Sequence, residues 1–375
     1  MENHWSTKHG CKGEPSRDWS AALLQTFFRG NMLRYFTGIA QNKDLSHPSD
    51  PILAESPHIQ DIGEKYNLDG LDLRILKHYF SSSYKTFVTS DHTEQIWLSV
   101  VPDLAYNQQF LLSGILACTA LHMAHLDPTQ HQHLTIRACS HQDSALPLFR
   151  YAIDHPTEEN CDAIMAFSYL LIVYSFATDI ENTNNSFYII ENAGSISTGP
   201  KVVLPQWLHF IRAGCSMLCN VWDRIETGPV SALAAAWETE EDISDSDLPH
   251  LDYFLSIVPK DGSWSEESIA IYQEAATALA ESFAYLERAK MKSEINTWSI
   301  LGGWPVRVKT EYVTLLSERH PGALILLAYY CVLSKEMEKF WYFEGRSARL
   351  ISCVSKVLDK TWHRCIQEAV NIVCD

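Results

Sequence analysis

Asn107-Gln108-Gln109-Phe110-Leu111-Leu112-Ser113-Gly114-Ile115-Leu116-Ala117-Cys118-Thr119-Ala120-Leu121-His122-Met123-Ala124-His125-Leu126 lies in the longest uncharged stretch of the chain, which runs between Asp103 and Asp127. It opens on three amide side chains and carries two histidines near its end. About 17 mostly apolar residues remain, at the low edge of what a bilayer core requires. The stretch therefore reads as a helix buried in a protein core.

Outward from it the same reading repeats. From Asp69 onward apolar residues recur at helical spacing, with expected helices near 71–82, 92–101, 107–126, 130–153, 158–178, 202–223, 264–291, 308–318, 321–343 and 346–370. Pro128, Pro156 and Pro321 mark helix ends. Alternating strand-like runs with hairpin turns are absent, and no stretch repeats at a solenoid period. The fold class is all-α: an irregular, orthogonally packed multi-helix domain over residues 68–375. Residues 1–67 stand apart as a polar tail, one amphipathic helix and a linker. The helix starts at Ser20 and carries Leu23, Leu24, Phe27, Phe28, Met32, Tyr35 and Phe36. Residues 38–67 form the connector, marked by His47-Pro48-Ser49-Asp50-Pro51 and Ser56-Pro57.

The 375 residues include 29 Lys plus Arg against 46 Asp plus Glu, a net charge of −17, so the average field repels nucleic acid and anionic membrane. Hydrophobic content of 46% and aromatic content of 11% supply a large core and argue against disorder. The N-terminus has no apolar run suited to a signal peptide, which places the chain in the nucleus or cytoplasm and not among secreted proteins. The 10 cysteines are scattered through apolar helical runs and read as buried free thiols. The Asn184-Asn185-Ser186 sequon then has no bearing. Residues 180–200 and the acid-rich 238–252 read as surface loops.

Chemical motifs are sparse. Gly194-Ser195-Ile196-Ser197-Thr198-Gly199-Pro200-Lys201 imitates a phosphate loop, but Pro200 separates the second glycine from Lys201 and Val202 follows where a hydroxyl is needed. His122, His125, His131, His133 and His141 cluster in sequence, yet they straddle the Pro128 turn and read as surface and helix-end residues, so no metal site is expected. Cys215 and Cys219 lie one helical turn apart without further ligands nearby. No nucleophile elbow or distinctive catalytic cysteine occurs; no catalytic residue or cofactor is assigned.

Ordered motifs carry more information. They run Asp72-Leu73-Arg74-Ile75-Leu76-Lys77-His78-Tyr79-Phe80, then Trp97-Leu98-Ser99-Val100-Val101-Pro102-Asp103-Leu104-Ala105, then Phe110–Ala117 and Ala120-Leu121-His122. Ala145–Arg150, Trp207 with Arg212 and Gly214, and Trp222 with Gly228-Pro229 follow. Trp304–Val308, His320–Tyr330 and Phe340-Trp341-Tyr342-Phe343-Glu344-Gly345 complete the series. Over roughly residues 68–370 the chain resembles the C-terminal regulatory domain of fungal binuclear zinc-cluster transcription factors of the sterol uptake control type. The resemblance implies an all-helical effector domain that binds a sterol or another hydrophobic small molecule, such as a terpenoid or polyketide, and regulates transcription by its occupancy. A specialised-metabolite gene cluster is one expected target.

The family's zinc-cluster reader needs six cysteines within about thirty residues beside basic side chains. Residues 1–117 contain only Cys11, and residues 1–37 carry five basic and three acidic side chains. The chain is therefore expected not to bind DNA by itself and to act through other proteins or as a homodimer, unless the reader is encoded outside this sequence. Two alternatives stay open: a ligand-binding module without regulatory output, and a cyclase- or isomerase-like enzyme using the helical pocket on a lipophilic biosynthetic intermediate. In each case the expected pocket is bordered by Phe110, His122, Trp207, Arg212, Trp222, Tyr329 and Trp341, which combine rigid apolar surface with a few polar groups.

Overall fold

Every long element in the computed structural model is a helix, and the model describes residues 25–26, 35–36, 57–89, 91–178, 211–212, 222–234, 248–292 and 297–374. The chain divides into two units, Met1–Ala54 and Glu55–Asp375. The first contributes two antiparallel two-residue strands, β1 (Gln25–Thr26) and β2 (Tyr35–Phe36), with Gln25 opposite Phe36 and Thr26 opposite Tyr35. The amphipathic helix expected from Ser20 to Phe36 is thus not formed at these four positions. Thr, Tyr and Phe favour extended backbone, and here that preference overrides the helical spacing. The rest of that expected helix lies outside the described residues.

In the second unit, α1 (Pro57–Tyr66) replaces the last part of the expected connector. Ile59 and Ile62 are buried and Tyr66 half-buried, so this short segment has an apolar face that docks on the core. Next comes α2 (Gly70–Ser81), started by Asp69, whose carboxylate accepts from the Asp72 N–H at 2.9 Å. A 3₁₀ turn (Ser83–Phe87) follows, then α3 (Asp91–Gln95), a π-helical turn (Ile96–Val100) and α4 (Val101–Asn107).

In the π turn the Val101 N–H bonds the Ile96 carbonyl, five residues back; Pro102 has no N–H to give to Trp97 in the same register, and the Trp97 carbonyl accepts instead from the buried Tyr79 hydroxyl.

The decisive stretch is α5 (Gln109–Leu126), buried on nearly all sides against α2, α6 (His131–Asp154) and α7 (Cys161–Thr178). α5 and α7 are both long and apolar enough to cross a membrane, but 78% and 72% of them are buried inside the fold, which makes them core helices. They approach closely at Gly114, where a Cβ would lie 2.7 Å from the Phe167 ring. Two short helices, α8 (Trp222–Ile225) and α9 (Ser231–Ala234), lean on this layer; Asp162 at the start of α7 fills the space beside Gly228. Of the expected 202–223 helix only Ile211, Arg212, Trp222 and Asp223 are described, all helical.

The C-terminal helices are α10 (Leu251–Ser256), α11 (Glu266–Lys292), α12 (Thr297–Arg307), α13 (Thr310–Ser317), α14 (Pro321–Ser334), α15 (Arg346–Val357) and α16 (His363–Cys374). α14 is their axis, buried almost throughout, with α11, α12, α15 and α16 packed around it. Two expected long helices are shorter than the periodicity suggests. The one over 321–343 stops at Ser334 and continues as 3₁₀ turns, Lys335–Lys339 and Trp341–Phe343. The one over 346–370 breaks at Leu358, where Asp359 turns the chain by accepting from the Thr361 N–H at 2.9 Å and hydroxyl at 2.7 Å. α10 begins at the end of the expected acidic loop; residues 238–247 of that loop, and the 180–200 loop with its sequon and phosphate-loop imitation, lie outside the described residues.

Candidate functional site

The residues expected to border one pocket fall into separate surroundings. Phe110 belongs to the core between α5, α6 and α7, with its ring centroid 5.8 Å from Phe149 and 5.6 Å from Phe167. Arg212 closes the end of α12, donating to the carbonyls of Pro305 (2.7 Å) and Val308. These are carbonyls that a helix end leaves without N–H partners. Trp222 opens α8, half-buried against the core. Trp207 lies outside the described residues.

Tyr329 is buried on α14, within an aromatic group formed with Phe254 (5.1 Å), Tyr253 (5.7 Å) and His250 (6.1 Å). Its hydroxyl stands 3.5 Å from a carboxylate oxygen of Glu368. Burial pushes this phenol well above its ordinary range, so it is a neutral donor.

His122 and Trp341 do come together. His122, in the last two turns of α5, is 5% exposed; its Nδ1 lies 2.8 Å from the Ser83 hydroxyl. The Trp341 ring, on the 3₁₀ turn of the C-terminal group, lies over His122 at 5.2 Å and His125 at 5.6 Å, and its indole N–H donates to the Thr86 hydroxyl at 3.2 Å. His78 on α2 stands 5.3 Å from His122. Burial, then the neighbouring His78 and His125, push His122 down to about 4, so it is uncharged at neutral pH. A serine next to a histidine suggests a nucleophile and its base. Both are buried, and no carboxylate orients the imidazole among the described residues, so the pair is a fastening between elements.

The histidine cluster thus differs from the surface and helix-end reading at its centre. His122 is a core residue; His125 and His133 are exposed; His131 bonds the Ala124 carbonyl at 3.2 Å. His141 bonds Asp72 at 2.8 Å. That last contact belongs to a network that no motif in the sequence marks. The buried Asp72 carboxylate also receives Arg137 through Nε at 2.7 Å and a terminal nitrogen at 2.5 Å, while Arg137 reaches Asp69 at 2.6 Å. The residues sit 65 to 69 positions apart in the chain, and only the packing of α2 on α6 joins them.

A second feature missed by the motifs is the junction of α12, α14 and α15, where Leu301, Tyr330, Phe343, Arg346, Ser347 and Leu350 surround a gap too small to hold a water molecule. The Arg346 side chain is fully buried at the first position of α15. Nothing in its local sequence distinguishes it from a surface arginine. Such a gap holds no ligand, since ligand sites typically enclose about 300–1,000 Å³. Among the described residues no three of His, Cys, Asp and Glu converge to hold a metal ion, and no cysteine pairs into a disulfide; Cys118, Cys161, Cys331 and Cys353 are buried and Cys374 is exposed.

Within this irregular all-helical body, residues 74–196 match the fungal specific transcription factor domain. The chain's relatives narrow the type. It is 24% identical over 294 residues to sterol uptake control protein 2 of Saccharomyces cerevisiae, covering 76% of this chain and 30% of that protein. Sterol uptake control protein 2 of Candida albicans is 30% identical over 185 residues, 49% of this chain and 23% of the relative. A Zn(2)-C6 fungal-type transcription factor of Gibberella zeae is 23% identical over 343 residues, 86% of this chain and 65% of the relative. The chain is thus similar to fungal transcription factors, among them those of the sterol uptake control type, and it spans less than a third of the length of the two sterol uptake control proteins.

Proposed function

We infer that this chain is the effector part of a fungal transcriptional regulator, acting in the nucleus or cytoplasm, and that it senses a hydrophobic small molecule of the sterol, terpenoid or polyketide kind. One observation carries the reading: similarity to a protein named for sterol uptake control extends over 76% of this chain. The gap at the junction of α12, α14 and α15 is too small for such a ligand. The ligand contacts proposed are drawn from the candidates Trp207, Arg212, Trp222 and Tyr329. Output reaches DNA through a partner protein, a second copy of the chain or a zinc-cluster segment encoded beyond these residues; a specialised-metabolite gene cluster is the proposed target.

The test joins the chain to a heterologous DNA-binding domain in a fungal reporter strain and follows output as sterol synthesis is inhibited. The expected result is a change in output of about fivefold or more, with a raised melting temperature of the purified chain in the presence of the active ligand. Constant output, together with no thermal shift across a panel of sterols, terpenoids and polyketides, refutes it. Purified chain alone should give no competitor-resistant gel shift on duplex DNA, in keeping with its charge of −17.

A further inference from the structure

The Trp341–Phe343 turn is where the C-terminal helices are fastened to the N-terminal layer. Phe343 packs edge-on against Phe176 of α7 at 4.9 Å, and Trp341 lies over two histidines of α5 while its N–H holds Thr86. The turn is bounded by Gly345 in the left-handed region at φ 66°, so it joins α15 through a flexible, sharply bent residue. Three imidazoles thus crowd one contact. His122 is enclosed, His78 half-buried, and His125 exposed at the rim.

We propose that this contact is an acid-operated latch: taking up a proton on the buried imidazole of His122 releases the Trp341–Phe343 turn from α5 while the helices on both sides stay folded.

Among the described residues, the groups facing His122 give it no counter-charge. From α2 comes His78, with Arg74 beyond it; both burial and Arg74 hold His78 below its ordinary range. From α5 itself comes His125, whose nearest acid, Glu344, is 4.0 Å away and exposed. The 3₁₀ turns bring Ser83, Thr86 and Trp341, all neutral, and Lys85, which is exposed and lies over the Tyr84 ring. A proton on His122 is therefore a charge without water and beside like charges, and opening the turn relieves both. The direction follows from the sign: an imidazole held below its ordinary 6.5 when closed binds protons more readily when open, so acid favours the open form. With the closed value at about 4, opening is favoured about 30-fold more at pH 5 than at pH 8. This inference needs neither ligand nor DNA, so it stands or falls apart from the regulatory reading.

Hydrogen exchange on the purified full chain between pH 8 and pH 5, corrected for intrinsic exchange chemistry, is the test. The amides of Trp341–Glu344 are expected to lose protection about 30-fold, and those of α14 less than threefold. His122→Gln keeps an amide to meet Ser83 but takes no proton, and its profile is expected to be flat. An unchanged parent, an equal loss across α14, or a His122→Gln profile matching the parent overturns the proposal. Should that variant not fold, His78→Gln removes a neighbouring like charge and should move opening to lower pH; an unmoved profile overturns the latch equally.

Discussion

Replacing Tyr330 by Phe removes one oxygen from the centre of the C-terminal helices and tests what the tyrosines of this core are for. Tyr330 is 1% exposed, and its hydroxyl donates to the Leu301 carbonyl at 2.6 Å. That carbonyl is in the middle of α12, where the N–H four residues on would normally satisfy it. Residue 305 is proline, so no such N–H exists. Tyr330→Phe leaves a buried carbonyl without a donor, which costs about 1–3 kcal/mol.

The bond is short and both groups are buried, which favours the upper half of that range, about 2 kcal/mol. Pro305→Ala restores a helical N–H to Leu301 and retains the carbonyl at 305 that Arg212 uses. In that background, Tyr330→Phe should cost less than half as much, a coupling of about 1 kcal/mol or more. Urea unfolding followed by circular dichroism measures the four proteins of the cycle, with midpoints compared at constant slope. Equal costs of Tyr330→Phe in the two backgrounds would refute the view that the hydroxyl stands in for the missing proline N–H.

Three further outcomes are expected. Asp72→Asn should destabilise by about 2–3 kcal/mol at pH 7, below the usual range for a broken buried pair because Arg137 keeps Asp69. Burial alone would raise the Asp72 carboxyl, but the hydrogen bonds and charges of His141 and Arg137 lower it overall, so its contribution is present above the ordinary carboxylate range and fades as pH falls through the lowered value; stability curves of parent and variant should converge in acid. Gly322→Ala should cost about 1–3 kcal/mol by overpacking, since its Cβ would lie 2.6 Å from Trp264 and 2.7 Å from Tyr272; a change within 0.5 kcal/mol in thermal melts would show that the rings yield. With a thiol-reactive chromophore Cys374 should react in the native protein, whereas Cys118 and Cys331, enclosed and pushed up by burial, should react only after unfolding; prompt reaction of both refutes their enclosure.

Helix positions were legible where apolar periodicity was long and uninterrupted, and not where a few polar atoms decided the boundary. The expected 107–126 and 130–153 helices meet α5 and α6 within a residue or two at most boundaries, because both have a continuous buried face. The break at Leu358 was readable in principle from Asp359-Lys360-Thr361, an Asx-turn signal, but the apolar spacing of 346–370 carries straight across it. α1 and α10 are too short, at 10 and 6 residues, for periodicity to outweigh the turn and charge signals around them. For the candidate residues the obstacle is different in kind. An aromatic ring that fills a core and one that lines a pocket have the same composition and the same spacing, so Phe110 could be placed on a buried helix without revealing that it packs against Phe149 and Phe167.

The tyrosine hydroxyls narrow where a ligand could be recognised. Tyr79 serves the Trp97 carbonyl beside Pro102, Tyr169 the Phe87 carbonyl at the end of a 3₁₀ turn, Tyr272 the Phe254 carbonyl in a six-residue helix, and Tyr330 the Leu301 carbonyl opposite Pro305. In each case the hydroxyl meets a backbone group at an irregularity, which is how a helical body with this many short and interrupted helices keeps its buried carbonyls satisfied. A hydroxyl so engaged cannot orient a ligand without unfastening a junction. Tyr329 differs: its hydroxyl meets side chains rather than the backbone, an exposed Glu368 carboxylate at 3.5 Å and the Tyr253 hydroxyl. For the proposed ligand, Tyr329 with Glu368 is therefore the candidate pair that can turn toward a bound hydroxyl at small cost to the fold. Tyr329→Phe should weaken a ligand's thermal shift while changing the unliganded melting temperature less than Tyr330→Phe does, and the reverse order would remove Tyr329 from the site.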